Sequence, residues 1–79
     1  MSPTVFREAD YRFYFFSREE QRMHIHVQSN NGEAKFWMEP EIQIALNHGL
    51  SMRELNEAHR LIKEHQNEIR EAWQQHFPC

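Results

Sequence analysis

Cysteine is almost absent from this chain of 79 residues: the single one is Cys79, the last residue. One thiol makes neither an intrachain disulfide nor a Cys-based zinc site, so the fold must hold by packing alone. Glycine (two) and proline (three) are scarce as well, so each marks a turn and none builds a flexible linker. No apolar run approaches the roughly 18 residues of a membrane span, and Met1-Ser2-Pro3-Thr4 does not read as a signal peptide. An excess of positive charge is missing too. Nine Lys and Arg stand against twelve Asp and Glu, for a net charge of −3, and the two halves of the chain differ little. That balance argues against a protein gripping duplex DNA through many phosphates, although six histidines would raise the charge below about pH 6.5. The expectation is a soluble, cytoplasmic protein with no membrane partner.

What is present is a set of aromatics (six Phe, two Tyr, two Trp) and a 39% hydrophobic share, enough for one small core. We expect one domain over residues 1–79, mainly strands over 1–47 and helical over 51–77. After Pro3, Val5 and Phe6 begin the apolar pattern, and Glu8-Ala9-Asp10 reads as a short polar turn. Tyr11-Arg12-Phe13-Tyr14-Phe15-Phe16 reads as a strand, being almost wholly aromatic. Ser17 to Arg22 is a charged loop. The next strand, His24–Gln28, meets Ser29-Asn30-Asn31-Gly32, a hairpin signature because Asn-Gly tolerates the positive φ of tight turns. Glu33–Met38 returns, and Pro40, with no N–H to donate, ends it. Ile42, Ile44 and Leu46 alternate like a strand, while Ala45 and Leu46 would also suit a helical turn. A short strand or extended edge segment is the preferred reading, closed by a turn at His48-Gly49-Leu50.

Ser51-Met52-Arg53-Glu54 matches a capping box, and Leu55, Ala58, Ile62, His65, Ile69, Trp73 and Phe77 follow at helical spacing. Unbroken from Met52 to Phe77, this helix would run about 39 Å at 1.5 Å per residue. A globule of this size is only about 30 Å across. The helix therefore either breaks near His65-Gln66-Asn67 or overhangs and calls for a partner, a second copy included. His65 itself is expected to be a partly buried histidine or a kink point. Glu64, Glu68 and Glu71 read as a solvated helix face.

Alternation sorts the strands into two faces. Phe13, Phe15, Ile25, Val27, Ala34, Phe36 and Met38 share the apolar one. Arg12, Tyr14, Phe16, His24, His26, Glu33, Lys35 and Trp37 share the other. Rings beside cations suit single-stranded RNA, with bases stacking and cations meeting phosphates, so Arg12, Tyr14, Lys35 and Trp37 are the candidate nucleic-acid contacts. His24, His26 and Lys35 are the candidate catalytic residues for metal-free phosphodiester cleavage, two histidines moving protons and a lysine stabilising charge. The ordinary alternative is that a helix or partner covers this face and the aromatics are simply core. His24 and His26 could also share a metal with Glu33 or His48, but neither a His-Glu-X-X-His motif nor a Cys pair supports it, and no metal or cofactor is assigned.

Several blocks resemble one small bacterial family, catalogued as domain of unknown function 4160. They are Pro3-Thr4-Val5-Phe6-Arg7, Tyr11 to Ser17, Met23-His24-Ile25-His26-Val27, Ala34-Lys35-Phe36-Trp37, His48-Gly49-Leu50-Ser51 with Glu54-Leu55, and Trp73 with Phe77. Many members carry prolines before the first histidine, where this chain has Arg22-Met23, a departure that concerns the loop and not the strand. The resemblance implies a type II toxin–antitoxin pair, with a small partner of domain of unknown function 2442 as the cognate antitoxin and a protein like this one as the suspected toxin. It implies no catalytic mechanism.

The expected fold is α+β: a small antiparallel sheet of four or five strands packed with a long C-terminal helix or helix pair. The expected function is a toxin-like protein that binds its antitoxin and binds or cleaves RNA through the His/Lys/aromatic face. The alternative is a non-enzymatic interaction or operon-regulating module, including the antitoxin role. Ile69, Trp73 and Phe77 either close the core or form a partner-binding patch.

Overall fold

A computed structural model describes residues 4–16 and 21–77. Five strands come first: β1 (Thr4–Glu8), β2 (Tyr11–Tyr14), β3 (His24–Gln28), β4 (Glu33–Trp37) and β5 (Gln43–His48). Two helices follow, α1 (Met52–Glu64) and α2 (Gln66–His76). The strands form one antiparallel sheet in chain order, β1-β2-β3-β4-β5. The fold is α+β, with the helix pair of the two expected forms. The charged loop expected from Ser17 lies, apart from Gln21 and Arg22, outside the described residues, as do Pro3 and Cys79. No helix among the described residues is long and apolar enough to cross a membrane.

Registers carry the expected alternation across the sheet. Phe13 stands opposite Val27, Val27 opposite Ala34, and Ile25 opposite Phe36; all are buried. Onto this face pack Leu55, Ala58, Leu61 and Ile62 of α1 and Ile69 and Trp73 of α2, forming one core. Phe77 packs against it and, like Trp73, sits beside the Phe15 ring. The preferred reading of residues 41–47 is met by β5.

Turn chemistry differs from expectation in one respect. The four-residue loop after β3 closes with the Ser29 N–H donating to the Gly32 carbonyl at 2.9 Å, but neither Asn31 nor Gly32 has a positive φ. Gly32 is needed for another reason: a Cβ there would collide with the backbone of His48 and Gly49. The left-handed residues are Ala9 (φ 52°), Asp10 (φ 67°) and Gly49 (φ 100°). Two successive positive φ values are what a two-residue hairpin turn between β1 and β2 requires.

The capping box forms. Ser51 Oγ accepts from the Glu54 N–H at 3.1 Å, and Glu54 Oε1 accepts from the Ser51 N–H at 2.9 Å. Glu54 Oε2 also accepts from Asn31 Nδ2 at 2.9 Å, joining helix start to hairpin. The Ser51 backbone N–H and then Asn31 hold this carboxyl below the usual carboxylate range.

The helical segment breaks at His65, whose N–H is shared between the Leu61 and Ile62 carbonyls at 3.0 and 3.2 Å. A straight helix would exceed the molecule's 35 Å longest dimension. The His65 ring stacks on Phe6 with centroids 4.1 Å apart. Its Nδ1–H donates to Glu68 at 2.9 Å and its Nε2–H to Glu8 at 2.8 Å. Both nitrogens donate at once only in the imidazolium, so Glu68 first and Glu8 second raise its pKa above the ordinary 6.5. The stabilisation is fully present below pH 6.5 and is lost as pH rises through the raised value. We predict that His65→Gln costs at most about 1 kcal/mol, because both carboxylates are largely exposed. Urea unfolding of both proteins at about pH 5.5 and about pH 8.5 should show the larger difference at the lower pH.

Candidate functional site

The helices cover one face of the sheet, and the other is finished by its own side chains. Arg12 and Tyr14 come from β2, His24 and His26 from β3, Lys35 and Trp37 from β4. On this face Tyr14 stands opposite His26, His26 opposite Lys35, and Lys35 opposite Leu46. Short-range contacts link them into a continuous mosaic. The Arg12 guanidinium lies 4.4 Å from the Tyr14 centroid, with its Nε–H donating to Thr4 Oγ1 at 2.7 Å. Tyr14 stacks on His26 at 5.4 Å, and Phe16 stands edge-on to His26 at 4.6 Å. Trp37 has two cations over its ring, Lys35 Nζ at 4.5 Å and the Arg22 guanidinium at 4.3 Å. Such contacts contribute about 0.5–1 kcal/mol each where exposed.

His24 is not on the accessible part of this face. It is fully buried, its Nδ1–H donates to the Arg22 carbonyl at 2.7 Å, and the Trp73 ring lies edge-on at 5.1 Å. His26 is half-buried, and Lys35 is 8% exposed. A reactive histidine pair needs both imidazoles within reach of substrate, and His24 is closed off from outside. Ile69, with no exposure, and Trp73, at 8%, belong to the core; Phe77 is partly exposed. A partner approaching this surface meets neither of the first two.

Beside His26 the face sinks into a hollow of about 180 Å³ bordered by Phe16, His26, Lys35, Leu46 and His48, with Ala34 and the acidic Glu33 also on its lining. Leu46 and His48 arrive there through the β4–β5 register, which sets His48 opposite Glu33. Sequence alternation marks the apolar residues of β5 but not its register, because the pairing shifts between Lys35 and Phe36. Arg22 falls in the loop the sequence predicts, and no local pattern ties it to Trp37. Among the described residues no group of three or more His, Cys, Asp or Glu side chains is arranged to hold a metal ion.

A second hollow, of about 440 Å³, lies at the β1–β2 turn. It sets Arg7 and Arg12 against Glu8 and Asp10, so a ligand there meets opposed charges. Tyr11 at its border is structural: it donates to Glu57 at 2.9 Å, and burial together with that bond pushes its pKa up to about 12.

These placements separate the two histidines by role. His24→Ala should lower the unfolding free energy by about 2–3 kcal/mol through lost packing and a stranded carbonyl. His26→Ala should cost less than about 1 kcal/mol, as at other partly exposed positions. Denaturant unfolding of the two single variants checks this.

The family described as "Domain of unknown function (DUF4160)" matches residues 10–74, a span that includes every residue of the open face named above except Thr4. No curated protein and no solved structure matches the chain.

Proposed function

The chain belongs to the family of Domain of unknown function (DUF4160), and from that premise we propose that it is the toxin-like component of a bacterial two-protein module. In this reading it works in the cytoplasm, is held by a small cognate antitoxin, and contacts single-stranded RNA through the open face of its sheet. The family resemblance suggests a partner of domain of unknown function 2442.

The observation that supports the reading is the aromatic–cation mosaic on the face the helices leave bare. Every base has a π-face, and stacking on protein rings contributes about 1–3 kcal/mol per base without demanding a sequence. Phe16, 42% exposed, and the half-buried His26 and Trp37 are the rings a base can reach. Arg22 and Lys35 place positive charge over Trp37, and Arg12 lies over the buried Tyr14 next to His26, a local patch on a chain whose net charge is −3. So small a patch neutralises few phosphates, and binding should weaken only modestly with salt.

Binding fits the burial better than cleavage does. With His24 enclosed, the imidazoles bordering the hollow are His26 and His48, and any acid–base chemistry would fall to them.

Inducing the chain alone in bacteria tests the proposal, with His26→Ala and Phe16→Ala at matched soluble level. Growth arrest by the wild type, relieved by at least about tenfold in colony survival in both variants, is expected if ring stacking of order 1–3 kcal/mol is lost. Arrest by all three would move the toxic determinant off this face. Growth of all three, with the protein folded and abundant, would leave the non-toxic interaction module as the function.

A further inference from the structure

The two edges of the sheet are built differently. Both edge strands shift register once against their neighbours, but along β1 Arg7 and Glu8 put charge on the strand and His65 reaches down to bind Glu8. These are features that discourage another strand from adding. β5 has a different character. It is six residues long, longer than any other strand, and Gln43-Ile44-Ala45-Leu46-Asn47-His48 contains no Asp, Glu, Lys, Arg, Pro or Gly. β3 shares this composition, but it is paired on both sides, whereas β5 carries it at an edge. One side of β5 pairs with β4, and among the described residues no strand pairs with the other.

Exposed apolar side chains gather on the same strand. Ile44 is 48% exposed and Leu46 53%, half of the four large hydrophobic residues left open to solvent among the described residues. The shift in pairing sets Ile44 opposite Phe36, on the helix side, and Leu46 opposite Lys35, on the open side. Both faces of the strand therefore offer apolar surface next to its free backbone groups.

We propose that β5 pairs with the β5 of a second copy of this chain, antiparallel across a two-fold axis, to make a ten-stranded sheet. The argument for a second copy is charge. Like charges directly opposed across a strand pair destabilise it, and any antiparallel register of β5 on itself opposes neutral residues to neutral residues. A strand bearing Lys or Glu finds no counter-charge on β5. Free N–H and C=O groups then pair, and Ile44 and Leu46 are covered along the seam. A perpendicular two-fold keeps both helix layers on one side and brings the two open faces side by side, each with its hollow next to the seam. The inference goes beyond the RNA reading and does not rest on it.

Sedimentation equilibrium at high-micromolar concentration tests it with the wild type, Leu46→Lys and Met52→Lys. Met52 is 70% exposed on α1 and supplies an off-strand control. The wild type and Met52→Lys should sediment as two chains of 9.7 kDa each, and Leu46→Lys as one. Far-UV circular dichroism checks that each variant is folded. Amide exchange on the wild type gives an answer that needs no variant: the β5 amides should slow as concentration rises, and those of β1 should not. A single-chain mass for the wild type, a dimer that survives Leu46→Lys, or concentration-dependent protection at β1 in place of β5 would overturn the proposal.

Discussion

The length of the C-terminal helical segment is the constraint around which the rest of this small structure is arranged. The helical segment must supply enough apolar surface to cover a five-stranded sheet, yet drawn straight it would exceed the molecule's 35 Å length. It breaks where the His65 backbone leaves helical geometry (φ −107°, ψ 17°), and the ring sits at the break, stacking on Phe6 and bridging Glu68 of α2 and Glu8 of β1. One side chain thus joins the helix layer to the first strand of the sheet. Leu55, Ala58, Leu61 and Ile62 then reach the core from one helix and Ile69 and Trp73 from the other.

With both helices committed to one side, the other side of the sheet has no layer to cover it. Its long side chains cover it themselves. Arg12 lies over Tyr14, and Lys35 and Arg22 lie over Trp37. This is how amphipathic side chains use apolar stems and keep charged ends at the surface. In the proposed RNA reading, structure and binding draw on the same residues, so substitutions at Tyr14 or Lys35, both nearly buried, would affect the two together.

Period-two alternation made the two faces legible, since Ile25, Val27, Ala34 and Phe36 are hydrophobic at every second position and nothing interrupts them. The capping box was legible because Ser51 and Glu54 act within one turn, and the break at His65 because helix length conflicts with globule size. What escaped depends on residues distant in sequence. His24 alternates with the open face, but Trp73 from the far end of the chain helps enclose it, and no local pattern announces that contact. The place of His48 follows from a pairing irregularity in β4–β5. The left-handed turn falls on Ala9-Asp10, where side chains do not advertise positive φ, while Gly32 serves a close approach to Gly49. Local chemistry was readable; closure by remote elements was not.

Backbone and side-chain chemical-shift mapping, titrating the labelled protein with a short single-stranded RNA, tests whether the helix-free face of the sheet is the functional surface. If it is, shifts concentrate on Arg12, Phe16, His26, Lys35, Trp37 and Leu46, and the outward faces of α1 and α2 stay unmoved. Shifts confined to the helices, or none at protein-saturating RNA, would contradict it.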